Sequence, residues 1–194
     1  MVVILLHGGA EHSLAPAGRR RLTYLRMRLF SRALRRVVDT DQVTLWRLRY
    51  RHRGWNGFSQ SPVQDADWAI AEATRRHPNA KVVLIGHSMG GRTALRVAGA
   101  DNVTAVVALA PWLPIGEPIT GLAGRRVLIA CGDRDRITDP RGSRQFALRA
   151  AELGIDVRYQ PVMGDGHAML RQSATWTRLA ADTIAAELSR VPSD

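Results

Sequence analysis

The pentapeptide Gly86-His87-Ser88-Met89-Gly90 sets a serine between glycines two residues to either side. A serine hydroxyl becomes a nucleophile when a base can reach it and its backbone lifts it clear of neighbouring atoms. A sharp strand-to-helix turn does the lifting, and side chains two positions away would collide in it, hence the glycines. An apolar run, Val82–Gly86, precedes the serine, and a short Gly-flanked helical segment, Gly90–Gly99, follows it. The first N–H groups of that helix point at negative charge developing beside Ser88. A serine that only caps a helix is the plainer explanation; the flanking pattern favours chemistry.

Three other clusters also follow apolar runs. His7-Gly8-Gly9-Ala10 comes after the first, Gly132-Asp133-Arg134-Asp135 after Val127–Cys131, and Gly164-Asp165-Gly166-His167 after Val157–Val162. A serine, an aspartate and a histidine therefore occur in that chain order, each just past a strand. These are the types of a nucleophile, an orienting acid and a general base. Asp139, before Pro140, reads as a helix N-cap, and Asp165 as a turn residue. His87 reads as a packing residue inside the turn and His7 as one that shapes its own loop. Glu11, His12 and Ser13 read as capping the next helix.

The elements that must bring these clusters together alternate. Val2–His7, Val43–Arg49, Val82–Gly86, Val103–Leu109, Val127–Cys131 and Val157–Val162 read as strands. Near-continuous Val/Ile/Leu runs among them belong to strands covered on both faces. Gly18–Val38, Pro62–His77, Gly90–Gly99, Pro140–Leu153 and Leu170–Arg190 read as helices. Ser61-Pro62 and Asp139-Pro140 supply start signals, His77-Pro78-Asn79 and Leu153-Gly154 stop signals. The expected fold class is α/β: one domain over residues 1–194, an open, mostly parallel six-stranded sheet with helices on both faces. Ligands of such sheets sit beyond the carboxyl ends of the strands, where all four clusters lie.

Composition narrows the setting. Of 28 basic residues only Lys81 is a lysine, and 17 acidic residues leave a net charge of +11. An arginine-rich coding bias accounts for this most simply. Eight arginines fall between Arg19 and Arg36, which keeps nucleic acid and an anionic membrane surface open as secondary, disfavoured partners. Leu22, Leu25, Leu29, Ala33, Leu34 and Val37 read as the core-facing stripe of that helix, with the arginines on its solvated face. The single cysteine, Cys131, excludes an intrachain disulfide and a multi-cysteine zinc site and reads as a core thiol. No run has the length of a membrane span, and the opening residues lack signal-peptide features, so the expected compartment is the cytoplasm.

Leu6-His7-Gly8-Gly9, Gly86-His87-Ser88-Met89-Gly90-Gly91, Gly132-Asp133-Arg134-Asp135-Arg136-Ile137 and Gly166-His167 together resemble the α/β-hydrolase superfamily, over Val2 to about Leu188. The resemblance implies catalysis by Ser88, His167 and an acid, which its spacing after Gly132 assigns to Asp135 over Asp133. It implies an oxyanion hole from the backbone N–H groups of Gly9 and Met89, with no metal and no organic cofactor. Trp112 and Met169, with Met89, are pocket candidates on the same footing as structural residues. Against the family pattern the chain lacks two preceding strands. Only Pro111–Arg125 separates the fourth and fifth strands, so a truncated fold without a cap domain is expected. The stretch Arg47–Gly57 also resembles a subgroup of small bacterial hydrolases.

The function expected is hydrolysis of a small-molecule carboxylic ester or thioester through an acyl-enzyme. An acyltransferase or peptidase on the same triad, or a non-catalytic binding protein on this fold, are the alternatives, because a fold does not fix a reaction.

Overall fold

In the computed structural model, which describes residues 1–190, six strands form one sheet: β1 (Val2–Leu6), β2 (Thr44–Leu48), β3 (Val82–His87), β4 (Val103–Leu109), β5 (Arg126–Gly132) and β6 (Asp156–Val162). Their order is β2-β1-β3-β4-β5-β6, and every neighbouring pair is parallel. β1, β3, β4 and β5 lie inside the sheet and are almost entirely buried, while the edge strands β2 and β6 mix exposed with covered positions. The order reverses between β1 and β3. Crossovers to either side leave a crevice at the carboxyl ends of those two strands.

Five helices cover the sheet: α1 (Leu22–Arg35), α2 (Ser61–Arg76), α3 (Met89–Arg96), α4 (Pro140–Glu152) and α5 (Ser173–Leu188). Side-chain alternation along the strands divides the core in two. Val2, Ile4 and Leu6 pack with Ile70 of α2, Leu95 of α3 and Phe146 of α4. Val3 and Leu5 pack with Met27, Phe30 and Leu34 of α1 and with Trp176 and Ile184 of α5. Between β4 and β5 there is no helix or strand among the described residues, so the fold carries no cap domain there.

Four expectations need correction. Of the six residues expected to face the core only Leu34 is buried; it shares the core face of α1 with Met27, Phe30 and Ser31, while Leu25 and Ala33 are half-buried and Leu22, Leu29 and Val37 are exposed. Two apolar stripes run along this helix at helical spacing, and its partners on α5 select the second. The segment from Gly18 to Arg21 is not helical; α1 starts without a capping side chain. Ser61 is the first residue of α2 rather than its cap, because Gln60 precedes it in the left-handed region at φ 44°. The Ser61 hydroxyl accepts instead from Asn56 Nδ2 at 3.1 Å.

Glu11–Ser13 do not cap a helix either. Residues 10–17 run beside residues 51–56, joined by Ala10 N–H to Arg53 O, Trp55 N–H to Ala10 O, Asn56 N–H to Glu11 O and Gly54 N–H to Ser13 O, each 2.9 Å. Asp139 does cap α4, accepting from Arg141 N at 2.9 Å.

The register of α1 is testable by unfolding. Leu34→Ala is expected to lower stability by about 2–5 kcal/mol, and Leu29→Ala by no more than about 0.5 kcal/mol. Denaturant titrations giving the opposite order would place Leu29 in the core and Leu34 outside it.

Candidate active site

Ser88 joins β3 to α3 at φ 58° and ψ −120°, a conformation costly for a residue with a side chain. Neighbours hold it there. Its N–H donates to Leu109 O at the end of β4 (3.0 Å), and its carbonyl accepts from Trp112 N (3.1 Å) and Gly91 N (3.0 Å). The glycines are sterically required. A Cβ on Gly86 would overlap the Gly90 carbonyl, one on Gly90 would overlap Leu6 O, and one on Gly91 would press on Pro111 Cβ at 2.9 Å. The half-buried Ser88 side chain makes no capping hydrogen bond to α3.

The loop after β1 passes directly over this turn. A Cβ on Gly8 would lie 3.2 Å from Ser88 Cβ, and one on Gly9 would overlap the Met89 side chain and Arg53 O. His7 shapes the loop: its Nδ1 donates to Gly8 O at 2.7 Å and its Nε2 accepts from Tyr50 N at 3.3 Å. Burial holds the His7 imidazole below its usual pKa, against the raising effect of the Gly8 hydrogen bond, which keeps it neutral in this bridging form. Met89 opens α3, so its N–H has no intrahelical acceptor. Among the described residues the Gly9 N–H has no backbone partner.

His167 stands in the loop after β6, its side chain mostly covered. Its Nδ1 donates to Asp135 Oδ2 at 2.9 Å. Asp135 sits in the loop after β5 and also accepts from Ile137 N (2.8 Å), Thr138 N (3.0 Å) and Thr138 Oγ1 (2.7 Å). Burial alone would raise the pKa of its carboxyl. The hydrogen bonds from His167, from the two backbone amides and from the Thr138 hydroxyl outweigh burial and bring it down to about 2. Asp133 does something else: its Oδ1 accepts from Gly164 N at 2.7 Å, tying the turn after β5 to the loop that carries His167.

That loop is fastened twice more. Asp165, read from the sequence as a turn residue, follows the turn at Met163–Gly164 and is buried. It accepts from Gly166 N (2.8 Å), Gln172 N (2.9 Å) and the Trp176 indole Nε1 (2.8 Å). Buried His87 donates from Nε2 to the His167 carbonyl at 2.9 Å, their rings 4.7 Å apart. Burial, then the nearby His167, pushes the His87 pKa down to about 3, so His87 is a neutral strut.

Sequence reading missed Thr138, although a threonine three residues past an aspartate is a recognisable side-chain-to-backbone pattern. It also missed a cluster with no signal in spacing. The Arg92 guanidinium of α3 lies 3.8 Å from the Trp55 ring centroid and 4.6 Å from that of Trp112, and its Nε donates to buried Glu117 at 2.7 Å. Arg96 also pairs with Glu117. This sandwich locks the loop after β4 against the loop after β2. Trp112 thereby stands at the Ser88 turn. Met169 is nearly buried at φ 57° and lines a groove beside α1, away from Trp112. Met89 packs inside the core rather than along a pocket. Gly8 and Gly9, with Ala10, Arg21, Leu22 and Arg53, line a cavity of about 240 Å³. Cys131 is buried in β5, its thiol pushed up to about 11 by burial.

A model of the alpha/beta hydrolase family matches residues 3–192. The chain belongs to that family. Among solved structures it is similar to a lidless α/β serine hydrolase from Xanthomonas campestris, with TM-score 0.71 and 19% identity over 98% of this chain and 84% of that one. An α/β serine hydrolase homologue from Coxiella burnetii superposes with TM-score 0.72 and 16% identity, over 95% and 85% of the two chains. Est1E from Butyrivibrio proteoclasticus gives TM-score 0.70 and 14% identity, over 97% and 88%. At these identities the likeness is one of fold. A comparison with curated proteins gave no match.

The Asp135 carboxyl sets a pH dependence. Its folded pKa is lowered from 3.8, so its contribution, about 2 kcal/mol, is complete above pH 3.8 and lost as pH falls through about 2. The stability gap between wild type and Asp135→Asn should be widest above pH 4 and close toward pH 2. Thermal melts across that range check it; a gap independent of pH would contradict it.

Proposed function

We propose that this hydrolase-family protein cleaves a carboxylic ester or thioester through an acyl-enzyme on Ser88. The observation that carries this reading is the 2.9 Å hydrogen bond from His167 Nδ1 to Asp135, made at the sheet edge that carries the strained Ser88 turn. In the proposed mechanism Ser88 Oγ attacks the carbonyl carbon and His167 Nε2 takes its proton. Asp135 keeps the proton of the resting imidazole on Nδ1 and stabilises the imidazolium that forms. The N–H groups of Met89 and Gly9 receive the carbonyl oxygen as it becomes an anion. His167 then protonates the departing alcohol or thiol. A water molecule, deprotonated by His167, attacks the acyl-enzyme and releases the acid.

Among the described residues Ser88 and His167 share no hydrogen bond. Bonds of this kind are often long before substrate binds and shorten in the Michaelis complex. The serine hydrolase descriptions of two structural neighbours support the reading.

The test is direct. Ser88→Ala should abolish labelling by a fluorophosphonate probe while the protein stays folded; persistent labelling would place the nucleophile elsewhere. Asp135→Asn should lower kcat by about 10⁴, the scale of a misoriented triad histidine. Asp133→Asn should cost far less, and a reversal of that order would exchange the two aspartates.

The missing cap has its own consequence. Hydrolysis of a neutral ester should rise smoothly through its critical micelle concentration, since no lid has to open. A sharp rise there would reveal a mobile cover.

A further inference from the structure

The outer face of α1 carries two stripes that the core does not use. Leu22, Leu25, Leu29 and Ala33 recur along one side, and Arg21, Arg28, Arg32 and Arg35 along the side next to it. Leu22 is 78% exposed and Leu29 60%. Leu170, three residues past His167, is 68% exposed and faces the same groove, of about 620 Å³, which runs from α1 to the start of α5 over Phe30 and Met169.

Charge on this face is equally one-sided. From Gly18 to Val38 there are eight arginines and no carboxylate. Among the described residues none of the eight forms an ion pair, whereas seven of the nineteen arginines elsewhere do, Arg51, Arg75, Arg76, Arg92 and Arg96 among them. A coding preference explains arginine in place of lysine. It does not explain a whole helix without an acid.

Exposed leucines beside unpaired cations fit a bilayer with anionic headgroups. The leucines enter the acyl boundary, and the arginines stay at phosphate depth with their stems along apolar surface. A second copy of the chain fits poorly, because the same cations would face one another. Nucleic acid would satisfy the arginines but leave the leucines against phosphates. Nor does the helix offer this face a ring to stack on a base: Phe30 is buried and Tyr24 packs edge-on against His7.

We propose that the outer face of α1 docks the protein on anionic lipid surfaces. Docking there brings the groove beside the His167 loop against the lipid. Leu22 also lines the cavity that Gly8 and Gly9 line, so the docked face adjoins the loop over Ser88. The inference does not depend on the proposed catalysis and is tested in its absence.

Ser88→Ala protein carrying all 194 residues is sedimented with vesicles of phosphatidylcholine alone and of equal parts phosphatidylcholine and phosphatidylglycerol. It should bind the mixed vesicles, release them as salt rises, and ignore the neutral ones. Adding Arg28→Gln, Arg32→Gln and Arg35→Gln should weaken partitioning about 100-fold. Adding Leu22→Ser and Leu29→Ser instead leaves the charge unchanged and should weaken it at least about tenfold. All five positions are exposed, and circular dichroism checks that the variants fold. Equal binding to both vesicle types would overturn the proposal. So would leucine variants that bind like the parent, which would reduce the effect to net charge. Duplex DNA bound more tightly than the mixed vesicles at the same salt, or a dimer that the leucine variants abolish, would assign the face to another occupant.

Discussion

The backbone of Ser88 is held at φ 58° by bonds from outside its own turn, and the rest of the site is arranged around that constraint. The end of β4 and the loop that follows it supply two restraints: Leu109 accepts from the serine N–H, and Trp112 donates to its carbonyl. The turn therefore depends on the pairing of β3 with β4 in the middle of the sheet. Gly86, Gly90 and Gly91 allow strand, helix and Pro111 to approach within distances that no side chain permits. A conformation worth a few kcal/mol of strain survives because so many neighbours fix it.

On the other side of the serine, the histidine is placed by a loop and not by a regular element. Loops are mobile unless tied down, and this one is tied at four points. Asp133 holds Gly164, Asp165 holds Gln172 and Trp176, His87 holds the carbonyl of His167, and Asp135 holds its ring. Two of these ties reach back to the turn after β5, so the acid and the base are positioned as one unit. Where a cap domain could otherwise brace the loop after β4, Arg92 between Trp55 and Trp112 does so from below.

Much of this could be read from residue types. The apolar runs identify the strands, their alternation with helices implies a parallel sheet, and the clusters after each strand mark its active edge. What could not be read has specific causes. Two stripes on α1 satisfy the same periodicity, and only the position of Trp176 and Ile184 decides which one is buried. Ser61 has a capping side chain and a following proline, yet the left-handed backbone at Gln60 begins the helix one residue earlier. Asp133 and Asp135 are two residues apart after the same glycine. The family resemblance prefers Asp135 by spacing; what no pattern records is that Asp133 turns instead to Gly164 N and ties down the loop of His167. The Arg92 sandwich joins residues far apart in the chain, which no local pattern records.

The edge strand β6 presents Asp156, Arg158 and Pro161 to solvent. Proline has no N–H to offer a further strand, and a charge at alternate positions makes a dry contact costly. The sheet is thus closed chemically on that side although it is open geometrically. The hydrophobic central strands that build the turn at Ser88 are thereby kept from recruiting another chain through this edge.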